Sequence, residues 1–214
     1  GRPQYEDMGV SYICTSGEKL PHYIESITSA HPIESTFLRG IVDALNAEVA
    51  LGSVTSVDDG ISWLGFTYLF TRLCKAPRVY GLDAHDFEAD PTLTQRRRQW
   101  ITYAANILAQ HQMVEFDLAA GTLRPTNMGR IASRYYLSHK TVGIFHERLR
   151  NNLVEADALS LMSRAADFDQ IPLRESEEEE LTSLLESVPC EVDGGTATAP
   201  GKVNILLQAH ISYL

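Results

Sequence analysis

A mainly helical fold with one small β-hairpin is what this sequence predicts, and three observations predict it. Apolar residues recur at three- and four-residue steps through most of the chain, the period of a helix face. Period-two alternation is confined to Met113–Asp117 and a short return at Thr122–Arg124. Glycine, proline and serine punctuate these segments at intervals suited to helices of 10–20 residues. At 214 residues and 23.8 kDa the chain has room for one large or two small domains with a real core.

In chain order, Gly1-Arg2-Pro3-Gln4 runs through a turn into Val10–Thr15, whose Val, Tyr, Ile and Cys predict a strand. A lone strand cannot satisfy its own backbone, so the chain is expected to be cut from something larger. Leu20–Ile27 is a short amphipathic segment. Pro32-Ile33-Glu34-Ser35 opens a helix with Phe37, Leu38, Ile41, Val42, Leu45 and Val49 on one face, broken at Gly52-Ser53. Ser56 reads as the N-cap of a helix running to about Lys75, with Asp58 and Asp59 in its first turn and Pro77 beyond its end. Asp90-Pro91 starts another helix, which buries Leu93, Trp100, Ile101, Ala104, Ala105 and Leu108. The hairpin follows, joined by Leu118-Ala119-Ala120-Gly121. Three helices and then a hairpin are the composition of a winged-helix domain, placed at 32–126. Thereafter the pattern is helical at Met128–Leu137, Thr141–Leu149, Val154–Ala165, Arg174–Ser187 and Lys202–Leu214, with a mobile loop expected at Val188–Pro200.

The charge is uneven. Arg150–Asp193 holds twelve acids and three bases, −9 of the net −10, whereas Arg96–Arg148 holds eight bases and three acids. An acidic chain binds nucleic acid weakly by itself, yet the basic stretch can present one face to a polyanion. No apolar run reaches the roughly 18 residues that cross a bilayer. Cys14, Cys74 and Cys190 are scattered and odd in number, which fits a reducing intracellular compartment.

Arg96-Arg97-Arg98 invites a nucleic-acid reading, but consecutive helical residues point about 100° apart, so a solvated face is expected. Glu177–Glu180 reads as the exposed start of a helix that buries Leu181, Leu184 and Leu185. His139 and His146 share a helical face without a third ligand, so no metal site is expected. No phosphate-cradling glycine loop and no nucleophile elbow occurs, so the chain by itself is expected to catalyse nothing.

Gly-Arg-Pro-Gln before a strand resembles the end of motif VI of superfamily-two helicases. Further segments carry the resemblance in order: Pro32–Ser35, Leu45-Asn46-Ala47-Glu48, Ala50–Val54 and Trp63–Leu69, then Asp90-Pro91-x-Leu93, Gly129-Arg130-Ile131-Ala132-Ser133-Arg134-Tyr135-Tyr136, Arg174-Glu175 and Asn204–Ala209. Together they resemble the large tandem-cassette DExH-box helicases. The match leans toward the helicase of the activating signal cointegrator complex over the spliceosomal one, and toward a first cassette. The resemblance implies residues 1–31 as the stub of a second RecA-like domain, 32–126 as the winged helix and 127–214 as the start of an all-α domain shared with a translocon subunit. It implies ATP and Mg in the intact parent but none held by this piece, with Arg2 as the motif VI arginine on the ATP γ-phosphate. A guanidinium suits that role because it stays charged and grips phosphate oxygens. The implied partners are single-stranded RNA or DNA, the remaining domains in cis and subunits of a larger complex, with no membrane. The Walker lysine and DExH acids are implied upstream of Gly1, and a strand-ratcheting helix beyond Leu214. Two other readings are a stand-alone winged-helix module binding DNA or protein, and a piece of translocation machinery.

Overall fold

The computed structural model describes residues 4–5, 7–28 and 33–213. The chain divides into two units, residues 1–35 and 36–214. In the first, α1 (Leu20–Thr28) is amphipathic but buries none of its residues. Val10–Thr15 is not a strand: it pairs with no other segment among the described residues, and Val10 and Tyr12 are exposed. The physical reason is the one that made a lone strand suspect: among the described residues no second extended segment pairs with it to complete a ladder.

The second unit opens with a 3-10 turn, Phe37–Gly40, leading into α2 (Ile41–Leu51). The regular helix thus begins later than the apolar pattern implied, and Pro32 lies outside the described residues. Gly52 closes α2 in the left-handed region at φ 82°, where a side chain would be strained. The helix expected from Ser56 to Lys75 is two helices, α3 (Val57–Gly65) and α4 (Tyr68–Lys75). Thr67 makes the break, its hydroxyl accepting from the Phe70 N–H at 3.3 Å and so capping a new start. A short α5 (Ala84–Ala89), opened by a reciprocal Asp83/Asp86 capping box, was not foreseen.

Then comes α6 (Thr94–Gln110). Asp90 caps it as expected but from further back, its carboxylate accepting the N–H groups of Thr94, Gln95 and Arg96. Pro91 therefore sits in the preceding turn and not in the helix. The strands β1 (Val114–Asp117) and β2 (Thr122–Pro125) pair antiparallel, with Phe116 opposite Leu123. The loop before α3 adds a third edge, Leu123 N–H donating to Thr55 O at 2.8 Å and Val57 N–H to Gly121 O at 2.8 Å. Helices α2, α3 and α6 enclose one core with this small sheet, built on Leu45, Leu64, Ile101, Leu108, Met113 and Leu123. A satellite cluster of Leu69, Leu73, Leu82 and Leu93 fastens α4 and α5 to its side.

Beyond the hairpin the chain is all helix: α7 (Asn127–Tyr135), α8 (His139–Arg148), α9 (Glu155–Ser163), α10 (Glu178–Ser187) and α11 (Ala199–Ser212). α11 packs against α9 and α10, and Leu181, Val192 and Ile205 form their core. The loop after α10 is pinned, contrary to expectation. Gln208 on α11 accepts from the Cys190 N–H at 2.8 Å and donates to the Cys190 carbonyl at 3.2 Å, while Asp193 pairs with Arg164. A side-chain amide satisfying one residue's whole backbone does the work of a strand partner.

Candidate functional site

The best-defined polar constellation lies where the hairpin region meets the all-helical segment. Thr126 alone separates β2 from α7. Its hydroxyl donates to the carbonyls of Gln112 at 2.7 Å and Met113 at 2.9 Å, and accepts from the Gly129 N–H as the N-cap of α7. Asn46 on α2, 2% exposed, donates to the Gly129 carbonyl at 3.0 Å. Gly129 is required by the closeness of this contact. A Cβ there would stand 2.1 Å from the Met113 carbonyl oxygen and 2.8 Å from Asn46 Oδ1, which packs on the bare glycine Cα and finds no donor.

One turn up α2, the Asp43 carboxylate accepts from the backbone N–H of His139 at 2.6 Å and contacts its ring Nδ1 at 3.0 Å. With a carboxylate as partner, Nδ1 carries the hydrogen. The His139 ring stacks on His111 at 5.8 Å, and Gly143 leaves room for the His111 imidazole. Fully buried Thr141 donates to Asp167 at 2.6 Å, tying α8 to the turn after α9. The pattern is mainly structural: most of these polar groups are taken up by a neighbour, Asn46 Oδ1 and His111 Nδ1 being the buried exceptions, and no group of three or more His, Cys, Asp or Glu suited to a metal occurs among the described residues. An open groove of about 810 Å³ runs beside this joint, floored by Ala47, Ala50 and Ala132 and rimmed by Arg130, Arg134 and Tyr136.

The other singled-out residues go elsewhere. Arg2 lies outside the described residues. The three arginines of α6 diverge, each to its own partner. Arg97 reaches the carbonyls of Ile61 at 2.6 Å, Thr92 at 3.0 Å and Leu93 at 3.4 Å, and its guanidinium covers the Phe70 ring at 4.8 Å. Arg98 pairs with Asp58 at 2.6 Å, and Arg96 faces Asp86 at 3.7 Å. A winged-helix module reading DNA through these three would have to break every one of these contacts. Glu177 begins the acidic helix start and pairs with buried Lys202, which also donates to the Pro172 carbonyl at 2.8 Å. The hydrogen bond from Lys202 holds the Glu177 carboxyl below its usual value, with the charges of Lys202 and Arg174 adding to it. Asp59 is likewise held low by hydrogen bonds from the Thr55 hydroxyl and N–H and from Ser56.

The joint was not foreseen as a unit, although two of its members were in view. Asn46 falls in Leu45-Asn46-Ala47-Glu48 and Gly129 in Gly129-Arg130-Ile131-Ala132-Ser133, segments already singled out. The available signal was a buried-type position on an otherwise apolar helix face filled by an amide, which demands a partner.

Comparison with known proteins defines the class first. Residues 34–109 match a winged helix-turn-helix domain family, and residues 125–214 match the Sec63 Brl domain family. Over 99% of its length the chain is 44% identical to the RQC trigger complex helicase SLH1 of Saccharomyces cerevisiae and 41% identical to human activating signal cointegrator 1 complex subunit 3. It is 38% identical, over its whole length, to the human U5 small nuclear ribonucleoprotein 200 kDa helicase. It spans about a tenth of each: 11%, 10% and 10%. The chain belongs with the DExH-box helicases, as a segment carrying their winged-helix and Sec63 Brl domains.

Proposed function

We propose that this chain is the scaffold of an ATP-dependent RNA or DNA helicase, coupling its ATPase core to the helical domain that grips the strand. The observation that carries the reading is the joint. The winged helix passes to the helical segment through one residue, and the Asn46–Gly129 and Asp43–His139 contacts lock the two together, while Thr141 and Asp167 brace α8 within the helical segment. A push on the winged helix therefore reaches α7 and α8 with little lost in between, as a mechanical coupler requires. The division into residues 1–31, 32–126 and 127–214 belongs to the same reading. So does an intracellular setting, nuclear or cytoplasmic, within a multi-subunit complex.

In this reading ATP and Mg bind the whole protein, where they supply the phosphoryl-transfer chemistry. Among this chain's residues the contribution to them is Arg2, toward the γ-phosphate, and nothing else. Arg2→Ala in the whole protein should lower ATP turnover by at least 100-fold while leaving RNA binding intact, since a transition-state arginine is worth three or more orders of magnitude. Turnover within a few-fold of normal would remove Arg2 from the site.

A further inference from the structure

From Leu118 to His146 there is not one aspartate or glutamate, in a chain that holds 28 of them, while Arg124, Arg130, Arg134 and Lys140 fall inside this run. Arg130 and Arg134 are exposed and, unlike the α6 arginines, make no ion pair or hydrogen bond among the described residues. Four residues apart on α7, they form one ridge. Tyr136 ends that ridge in a conformation that the fold itself does not reward. It caps α7 in the left-handed region at φ 59°, a place suited to glycine or asparagine, yet it is a bulky aromatic that is 92% exposed. All three line the same groove. Its two carboxylates are already engaged, Asp43 by His139 and Asp167 by Thr141 and Ser138.

We propose that this face of α7 is a contact surface for a single-stranded nucleic acid, with Arg130 and Arg134 on phosphates and Tyr136 stacked on a base. Unpartnered guanidiniums, beside a groove whose two carboxylates are already engaged, favour a polyanion, and an exposed aromatic beside them favours unpaired bases over a duplex. The proposal rests on the helicase reading for its ligand class and names a strand contact within it.

The test is fluorescence anisotropy of the 214-residue chain with a labelled 20-nucleotide oligo(U), in a salt series starting at about 50 mM. Arg130→Ala/Arg134→Ala should weaken binding at least tenfold. It should also reduce the slope of log affinity against log salt by about 1.4, two phosphate contacts at about 0.7 each. Tyr136→Ala should weaken oligo(U) about fivefold or more and leave an abasic 20-mer unaffected, while Arg98→Ala should change neither. The proposal is overturned if the chain does not bind at the lowest salt, or if the double variant binds within twofold of the original. It is equally overturned if a poly-glutamate 20-mer competes as well as unlabelled oligo(U), which would make the face a docking site for an acidic protein. Circular dichroism of each variant confirms that these exposed substitutions leave the fold intact. The ATPase test on Arg2 is independent, so failure here leaves the helicase reading standing.

Discussion

At the scale of single residues, the steepest dependence falls on Gly129. Alanine there cannot be accommodated by a side-chain rotation, because the obstacle is the Met113 backbone oxygen at 2.1 Å. Gly129→Ala should cost about 3 kcal/mol in urea denaturation, at the upper end of overpacking penalties. The α6 arginines separate by environment. Arg97→Ala strands several carbonyls and uncovers Phe70, so it should cost roughly 1–3 kcal/mol. Arg98→Ala breaks one exposed pair and should stay within about 0.5 kcal/mol. Asp59 sets a pH dependence. Its carboxyl is held low in the folded state, so the carboxylate stabilises the fold above the unfolded pKa, and that stability is lost as pH falls through the lower folded value. Asp59→Asn should therefore lower the melting temperature at pH 7 and have a smaller effect at pH 3. A uniform shift at both would show that the charge is not what matters. Caps such as Ser56 were legible because a hydroxyl before an acidic first turn has one obvious use. The Asn46–Gly129 bond was not, since nothing local announces a partner 83 positions away.

At the scale of elements, periodicity located nearly every helix and missed where they stop. The run from Val57 to Lys75 is apolar on several sides, and that uniform pattern hid the break at Thr67, which the hydroxyl cap alone decides. The strand at Val10–Thr15 failed for the opposite reason: residue types favour a strand, but only a neighbouring ladder makes one. Val188–Pro200 has the composition of a mobile loop, yet one amide from α11 fixes it. Gln208→Leu should release Cys190, and limited proteolysis should then cut between Val188 and Pro200 at a rate several-fold above the parent chain. Unchanged cleavage would mean that Val192 and the Arg164–Asp193 pair hold the loop without Gln208.

At the scale of the whole molecule, the region matched to the winged-helix family and the region matched to the Sec63 Brl family meet at a boundary that is polar, partly buried and short. On the proposed coupling role, Asp43→Ala in the whole protein should leave ATP turnover within about twofold and depress unwinding about tenfold, measured by strand displacement. Equal loss of both would indicate misfolding and not uncoupling. Thr126 gives the boundary a further meaning, best put as rotational phase. With one residue between strand and helix there is no slack in which to absorb an insertion. A single added residue early in α7 would turn everything after it by about 100°, carrying Ala132 away from α2 and swinging the Arg130–Arg134 ridge off the groove. The helical domain is thus indexed to the wing like a key to its slot, and chain length at this point is as constrained as any side chain.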